Sequence, residues 1–531
     1  MTAAAPRALT VLLGGRPLPD AVTGRVTSVR VAARLNLPTQ CEATLRAGPG
    51  TAALTGPVQI GASLDVRLDG QPEALFTGEV TAVEVEYAAD GGATLRVRGY
   101  DLLHRLRKRQ RIRVFESVTA AELATELCAD LGLRVEAEVD GPRLDRLPHH
   151  RPNDLDLLVE VTGRAGLHLS LDGDVLRLVT LDGYGEPTAL ELGRDVHGLR
   201  LSVNADSAAG ESAVLGWHPQ RAEPIVQRVG NPRCGRRTPA DPDPAEVGAD
   251  GPRTALDQPG RSDDEIAALA QARLDTRAAA LVTADGTAEG TPALRPGRRI
   301  RLTGVAEPVA GTYVLTEVVH TVDANGHLSR FSTMPPPPPR TGSPAPAVVT
   351  LGTVTDVTDP DGLGRVRVEL PAYGGADAGW LAVLCPGAGR GKGLVALPDP
   401  QDSVLVALPG GEPASGVVLG SLFGTVEPYD TGIDDGRARR WSLRTAGGQQ
   451  VVVDDVARSL RLSTEAGSWL ELTPQLATLH AATDLVLSAP GRAMVVRARS
   501  VDFLHAETVE DPETAAEQAR VLARAHHEGG S

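Results

Sequence analysis

Short alternating apolar segments, punctuated by Asp-Gly and Asn-Gly pairs, set the strongest limit on what this chain can become. The pairs recur at Asp69-Gly70, Asp90-Gly91, Asp172-Gly173, Asp182-Gly183, Asp285-Gly286, Asn325-Gly326 and Asp361-Gly362. Both dipeptides suit the left-handed dihedrals of tight hairpins. LFTGEVTAVEVEY (75–87) and ATLRVRGYDLL (93–103) alternate with period two on either side of Asp90-Gly91, and YVLTEVVHTV and LSRFST do so around Asn325-Gly326. The chain is expected to be mainly β.

Three segments break the pattern and predict helices. Thr119 and Glu122 form a capping box ahead of Leu123, Leu127 and Leu131, with Gly132 as the stop. Asn153 caps a second helix carrying Leu157, Leu158 and Val161, which ends near Gly166. Ser262 and Glu265 form another capping box before Ile266, Leu269 and Leu274. The first two helices sit close together as a small α/β insertion between β segments. Ahead of the third, RVGNPRCGRRTPADPDPAEVGADGPRT (228–254) is rich in Pro, Gly and Asp and reads as a long surface loop.

At 531 residues the chain is long for one core, so about three domains are expected. Aromatics are only 3%, yet the apolar fraction is 41%, enough for real cores. A net charge of −15 argues against general nucleic-acid binding, which needs basic surface. The one dense basic run, HRLRKRQRIR (104–113), reads as a solvated strand and turn or a subunit contact. Cys41, Cys128, Cys234 and Cys385 are scattered and form no CxxC, which suits a reducing compartment. The N-terminal MTAAAPRALTVLLGG has too short an apolar core for a signal peptide, so synthesis in the cytoplasm is expected. No apolar run approaches the ~18 residues of a membrane span.

The sharpest boundary is the run Pro335–Pro339, which cannot continue a sheet or helix and favours a stiff polyproline spacer. Beyond it lie strand candidates at Val349–Val357, Arg365–Leu370, Trp380–Cys385, Gly393–Leu397 and Ser403–Leu408, closed by GVVLGSLFG; this density suits a small OB-type barrel. After Arg440 apolar pairs at i, i+2 recur at Val451/Val453, Leu460/Leu462, Leu470/Leu472, Ala477/Leu479, Leu485/Leu487, Met494/Val496 and Val501/Phe503. Their spacing of about eight residues predicts a β-helix or β-prism. One copy of such a strip has an apolar edge with little to bury it against, so several chains, most simply three, are expected to wrap together. The tail from Asp511 reads as a short helix that ends in disorder.

Ligand motifs are weak. GAGRGKG (387–393) lacks the first glycine of a phosphate-binding loop, where Pro386 stands, and has Gly393 in place of the Ser or Thr after the lysine. The loop DPDGLG from Asp359 pairs carboxylates as calcium loops do, but its twelfth position is Leu370 rather than Glu. His149-His150 and His526-His527 have no further ligand at metal spacing nearby; the terminal pair is a candidate only at the end of an oligomer. No catalytic, cofactor-binding or metal residues are assigned, and no cofactor is expected.

Four stretches carry a family resemblance: VRGYDLLHRLRKRQRIRVFESVTAAELATELCADLGL (97–133), HHRPNDLDLLVEVTGRAGLHLSLDGDVLRLV (149–179), LRPGRRIRLTGVAEPVAGTYVLTEVVHTVDANGHLSRF (294–331), and the region from GTVTDVTDPDGLGRVRVELP (352–371) through GVVLGSLFG. The chain resembles the VgrG-type spike proteins of contractile injection systems, relatives of the hub and central spike proteins of contractile phage tails. The family's usual aromatic in the second helix is replaced by Leu157-Leu158. The resemblance implies a hub of two β-barrels over residues 1–334, a linker at 335–347, an OB domain at 348–425, an intertwined trimeric needle at 426–505 and a tail at 506–531. It implies a non-enzymatic homotrimer joining the inner tube to a PAAR-like tip protein, with other baseplate proteins and effector cargo as partners, no nucleic acid, and transient contact with a target membrane. It places the chain in a phage tail-like particle that is released or delivered to a target cell. An envelope-directed hydrolase and a glycan-binding β-helical fibre are the competing readings.

Overall fold

The computed structural model describes residues 9–47, 58–89, 92–218, 223–258, 260, 262–337, 347–501 and 503. The chain divides into two compact units, Met1–Leu422 and Phe423–Ser531. The proline run from 338 onward, the tail helix expected after Asp511 and the His526-His527 pair lie outside the described residues.

The first unit is built on an eleven-stranded sheet. Its early strands, such as Phe76–Tyr87 and Ala93–Tyr100, pair as the alternation demands, with Tyr87 opposite Ala93. The late hairpin Glu317–Asp323/Gly326–Ser332 then joins the early part edge to edge, because Glu317–Asp323 runs antiparallel to Val26–Arg34, from Glu317 opposite Arg34 to Asp323 opposite Ser28. One sheet thus serves two separate cores. Val29, Val31, Leu64, Val66 and Leu95 fill the first. Val196, Leu294, Ile300, Tyr313 and Phe331 fill the second.

Between these halves sits the α/β insertion. Thr119 accepts from Glu122 N while the Glu122 side chain accepts from the Thr119 amide, and the helix Ala120–Cys128 follows; Gly132 ends it at φ 70°. Asn153 accepts from Asp156 N and starts Asp154–Arg164. Leu123, Leu127, Leu157 and Leu158 meet in one core with Leu176 and Leu178 of the adjoining hairpin. The third helix, Asp263–Leu281, starts at Ser262, whose side chain accepts from Glu265 N. It packs on a three-stranded sheet with Glu211–His218 at its centre, which the sequence pattern had not separated from its surroundings.

Three expectations are corrected. The surface loop expected at 228–254 is shorter, 230–251, since both ends belong to strands (Glu223–Val229 and Pro252–Gln258), and it is tethered: Cys234 and Arg236 are buried, and Arg237 N donates to Thr312 O. Asp285-Gly286 is no turn but lies inside the strand Val282–Glu289, where a Cβ on Gly286 would sit 2.5 Å from Phe331 Cζ. The glycine is required by the ring, not by a bend. Gly286→Ala should therefore cost the hub about 1–3 kcal/mol by overpacking, read as a lowered urea midpoint; an unchanged midpoint would mean that Phe331 has room to move. In the OB region, Gly393–Leu397 forms no strand. The barrel closes through Val348–Asp356, Val366–Leu370, Ala376–Val383, Val417–Leu422 and Ser403–Leu408, around Val354, Val366, Val368, Leu381, Val404 and Val406.

The second unit contains a five-stranded antiparallel meander, Arg440–Arg444, Gln450–Asp454, Ser459–Ser463, Trp469–Leu472 and Ala477–His480. The first four predicted apolar pairs fall on its strands. The pairs at Leu485/Leu487, Met494/Val496 and Val501/Phe503 fall on described residues outside any strand.

Candidate assembly surfaces

The residues singled out as ligand candidates have structural work. The Asp359 carboxylate is buried; it accepts from the amides of Asp361 (3.2 Å), Leu363 (2.9 Å) and Arg365 (3.1 Å) and from Arg365 Nη2 (2.6 Å). Hydrogen bonds from Arg365 hold its pKa well below the usual carboxylate range. Arg365 also reaches Asp361, so both acids of this loop are bound to one guanidinium. In the glycine loop, Gly389 and Lys392 bond each other's backbone in a tight turn. His149 is buried against Asp154 at 2.9 Å, with Arg109 at 3.4 Å from the same carboxylate. Among the described residues no group of three or more His, Cys, Asp or Glu side chains is placed to hold a metal.

The basic run is largely neutralised from within. Arg105 binds Glu79 in a two-point pair, Arg109 and Arg111 share Asp130, Arg113 reaches Glu126, and Arg107 lies over the Tyr100 ring. Burial pushes the Cys41 and Cys234 thiols up and the Cys128 thiol to about 12, which keeps all three protonated and inert at neutral pH.

The meander carries the surface that sequence reasoning aimed at. Its register aligns two apolar rows across all five strands. One runs Leu443, Val451, Leu462, Leu470, Leu479; the other runs Trp441, Val453, Leu460, Leu472, Ala477. Both lie on the same face, since alternate residues share a side. That face is open: Trp441 is 67% exposed and Leu479 55%. The opposite face holds Ser442, Val452, Arg461, Glu471 and Thr478, together with Trp469 stacked on His480 at 5.5 Å. The strand with Trp441 and Leu443 was missed because its single pair falls before the regular spacing begins.

A second contact, also missed, ties the α/β insertion to the OB barrel. Arg146 bonds Glu116 Oε1 at 2.7 Å, Asp377 Oδ2 at 2.7 Å and the Asp377 carbonyl at 3.1–3.2 Å. Arg151 bridges Glu160 and Glu412. The His150 and Tyr373 rings meet edge-on at 6.0 Å, and Ile112 lies where a Cβ on Gly374 would be. Long-range pairs between single charges leave no periodic trace in a sequence.

Comparison with known proteins agrees with this construction. Residues 350–423 match the type VI secretion system/phage-baseplate injector OB domain, the span of the closed barrel. A component of the Escherichia coli type VI secretion system, itself described as similar to the phage T4 tail proteins gp27 and gp5, shares the fold at 12% identity; the match covers 78% of this chain and 99% of that one, with a TM-score of 0.51. VgrG in the Francisella PdpA–VgrG complex matches at 8% identity over 89% of this chain and 87% of that one, with a TM-score of 0.52. No curated protein matches by sequence. The phage tail baseplate hub profile matches residues 33–326, which hold the α/β insertion and most of the eleven-stranded sheet, and with more than half of its length so matched the chain belongs to the phage tail baseplate hub family.

Proposed function

We propose that this structural hub and spike protein of a contractile injection system works as a homotrimer whose meanders close into a needle. The observation that carries the reading is the pair of apolar rows on one face of the meander. Three one-faced sheets set around a common axis bury all such faces inward. Burying a Val or Leu side chain is worth about 1.5–3 kcal/mol, so two rows per chain supply ample drive for assembly. On this reading residues 1–334 form the hub that meets the inner tube, 348–425 the collar and 426–505 the needle. A tip protein caps the needle, and sheath contraction drives the assembly through a target envelope. The work is mechanical, with no catalytic residues. Effector cargo is a further partner of the assembled particle; that such a spike can hold another protein is supported by the Francisella complex of VgrG with PdpA.

Light scattering on the purified chain should give three times the chain mass of 55.4 kDa. A stable monomer at micromolar concentration would overturn the needle.

A further inference from the structure

The hub has a strap, residues 290–298, that holds its three parts together. Arg295 Nη2 donates to Ala74 O of the first half at 2.6 Å, and Arg295 Nε lies 3.3 Å from Asp172 of the insertion. Ser170 Oγ donates to Pro296 O at 2.8 Å, and Gly297 N donates to Leu315 O of the second half at 2.6 Å. Behind the strap are two stacked-in histidines. His320 Nε2 lies 3.1 Å from the Leu294 carbonyl, which can only accept, so Nε2 carries the proton and Nδ1 the lone pair. That lone pair faces Ser329 Oγ at 2.8 Å and His327 Nε2 at 3.3 Å. The His327 ring fills the space that a Cβ on Gly290 would need, and Gly290 N donates to His327 O at 2.8 Å, so the start of the strap is seated on this ring.

We propose that the His320–His327 pair is an acid-sensitive lock on this strap, closed while His320 is neutral and opened when His320 takes a proton. In the neutral ring Nδ1 holds the lone pair. A proton there places a charge in a buried site beside a second cation, Arg295, and obliges Ser329 Oγ or His327 Nε2 to turn acceptor. These are the titratable and charged groups facing His320: His327 from Gly326–Ser332 and Arg295 from the strap, with Asp172 beyond Arg295. Arg30 and Arg34 of Val26–Arg34 and Arg330 of the neighbouring strand are exposed on the other face. Burial, the largest cause, together with those two neighbours lowers the His320 pKa to about 3.

The sign follows. A histidine depressed in the closed state takes up its proton only on opening, so closure weakens as pH falls from the ordinary histidine value of ~6.5 towards 3. At pH 5.0 the opening constant rises about 30-fold over pH 7.5.

Hydrogen exchange on the full chain at these two pH values, corrected for intrinsic rates, tests this. The expected result is a rise of that size in peptides covering 290–298, with no rise in the collar strand Ser403–Leu408. His320→Gln keeps a donor for Leu294 O but cannot titrate, and should flatten the response. His168, buried in the insertion with its pKa lowered to about 4, titrates in the same sense, so the variant is what assigns the effect. An equal rise in His320→Gln overturns the lock. Should that variant not fold, a wild-type strap whose opening does not change, or changes only in step with the collar, overturns it as well.

Discussion

Leu470→Asp leaves the chain unable to assemble: light scattering gives the monomer mass or an aggregate where the wild type gives a trimer. Leu470 stands inside one apolar row, between Leu462 and Leu479. In the proposed needle its place would be dry, and an unpaired carboxylate there would cost several kcal/mol beyond the lost apolar burial. In a symmetric trimer one substitution would put three such charges around one axis, and their repulsion would add to the cost. Glu471→Gln, one residue along on the polar face, should assemble normally and serves as the control. A trimeric Leu470→Asp protein would mean that the rows do not face inward. Leu485→Asp, which the regular spacing alone would rank as equal, falls outside the meander strands and separates the two accounts.

Asp359→Ala should unfold the collar locally, at a cost of about 3–5 kcal/mol, because it leaves a buried guanidinium with only the exposed Asp361 and strips three backbone amides of their acceptor. Hydrogen exchange of Val366–Leu370 and Ser403–Leu408 reports it; protection equal to wild type would show that Arg365 finds another partner. The pH dependence has a definite sign. Asp359 is held below its unfolded pKa, so its contribution is present above the ordinary carboxylate value near 4 and declines only as pH drops through the lower folded value. Collar and hub strap are therefore expected to respond differently to mild acid: at pH 5 the first keeps its ion pair while the proposed lock of the second is weakened.

Much of the fold was legible because it rests on local physics. The two insertion helices start at the side-chain caps that Thr119 and Asn153 announce, and the hairpin strands show period-two alternation. Errors came where one dipeptide serves two ends. Asp285-Gly286 has the composition of a turn, but its glycine makes room for Phe331 from a strand more than forty residues later, and no local signal encodes that. GLVALP (393–398) looks like a strand yet pairs with nothing, while Ala376–Val383 begins four residues before the predicted Trp380 because ADAG reads as a loop until its partner Val366–Leu370 is known. For the assembly surface, spacing gave the apolar pairs, and only the register showed that they align in rows. The joining residues, Arg146, Arg151, Asp377 and Glu412, were invisible as a set, being single charges brought together from 231 to 261 positions apart.

The Arg146 contact changes how thrust travels through such a machine. Along the polypeptide, hub and collar are joined by the stretch around Pro335–Pro339. The Arg146–Asp377 and Arg151–Glu412 bridges give a second connection, and in the proposed machine an axial push on the hub would reach the collar through the α/β insertion acting as a bracket. Because that bracket is ionic in part and only half-buried, salt would soften it without releasing it.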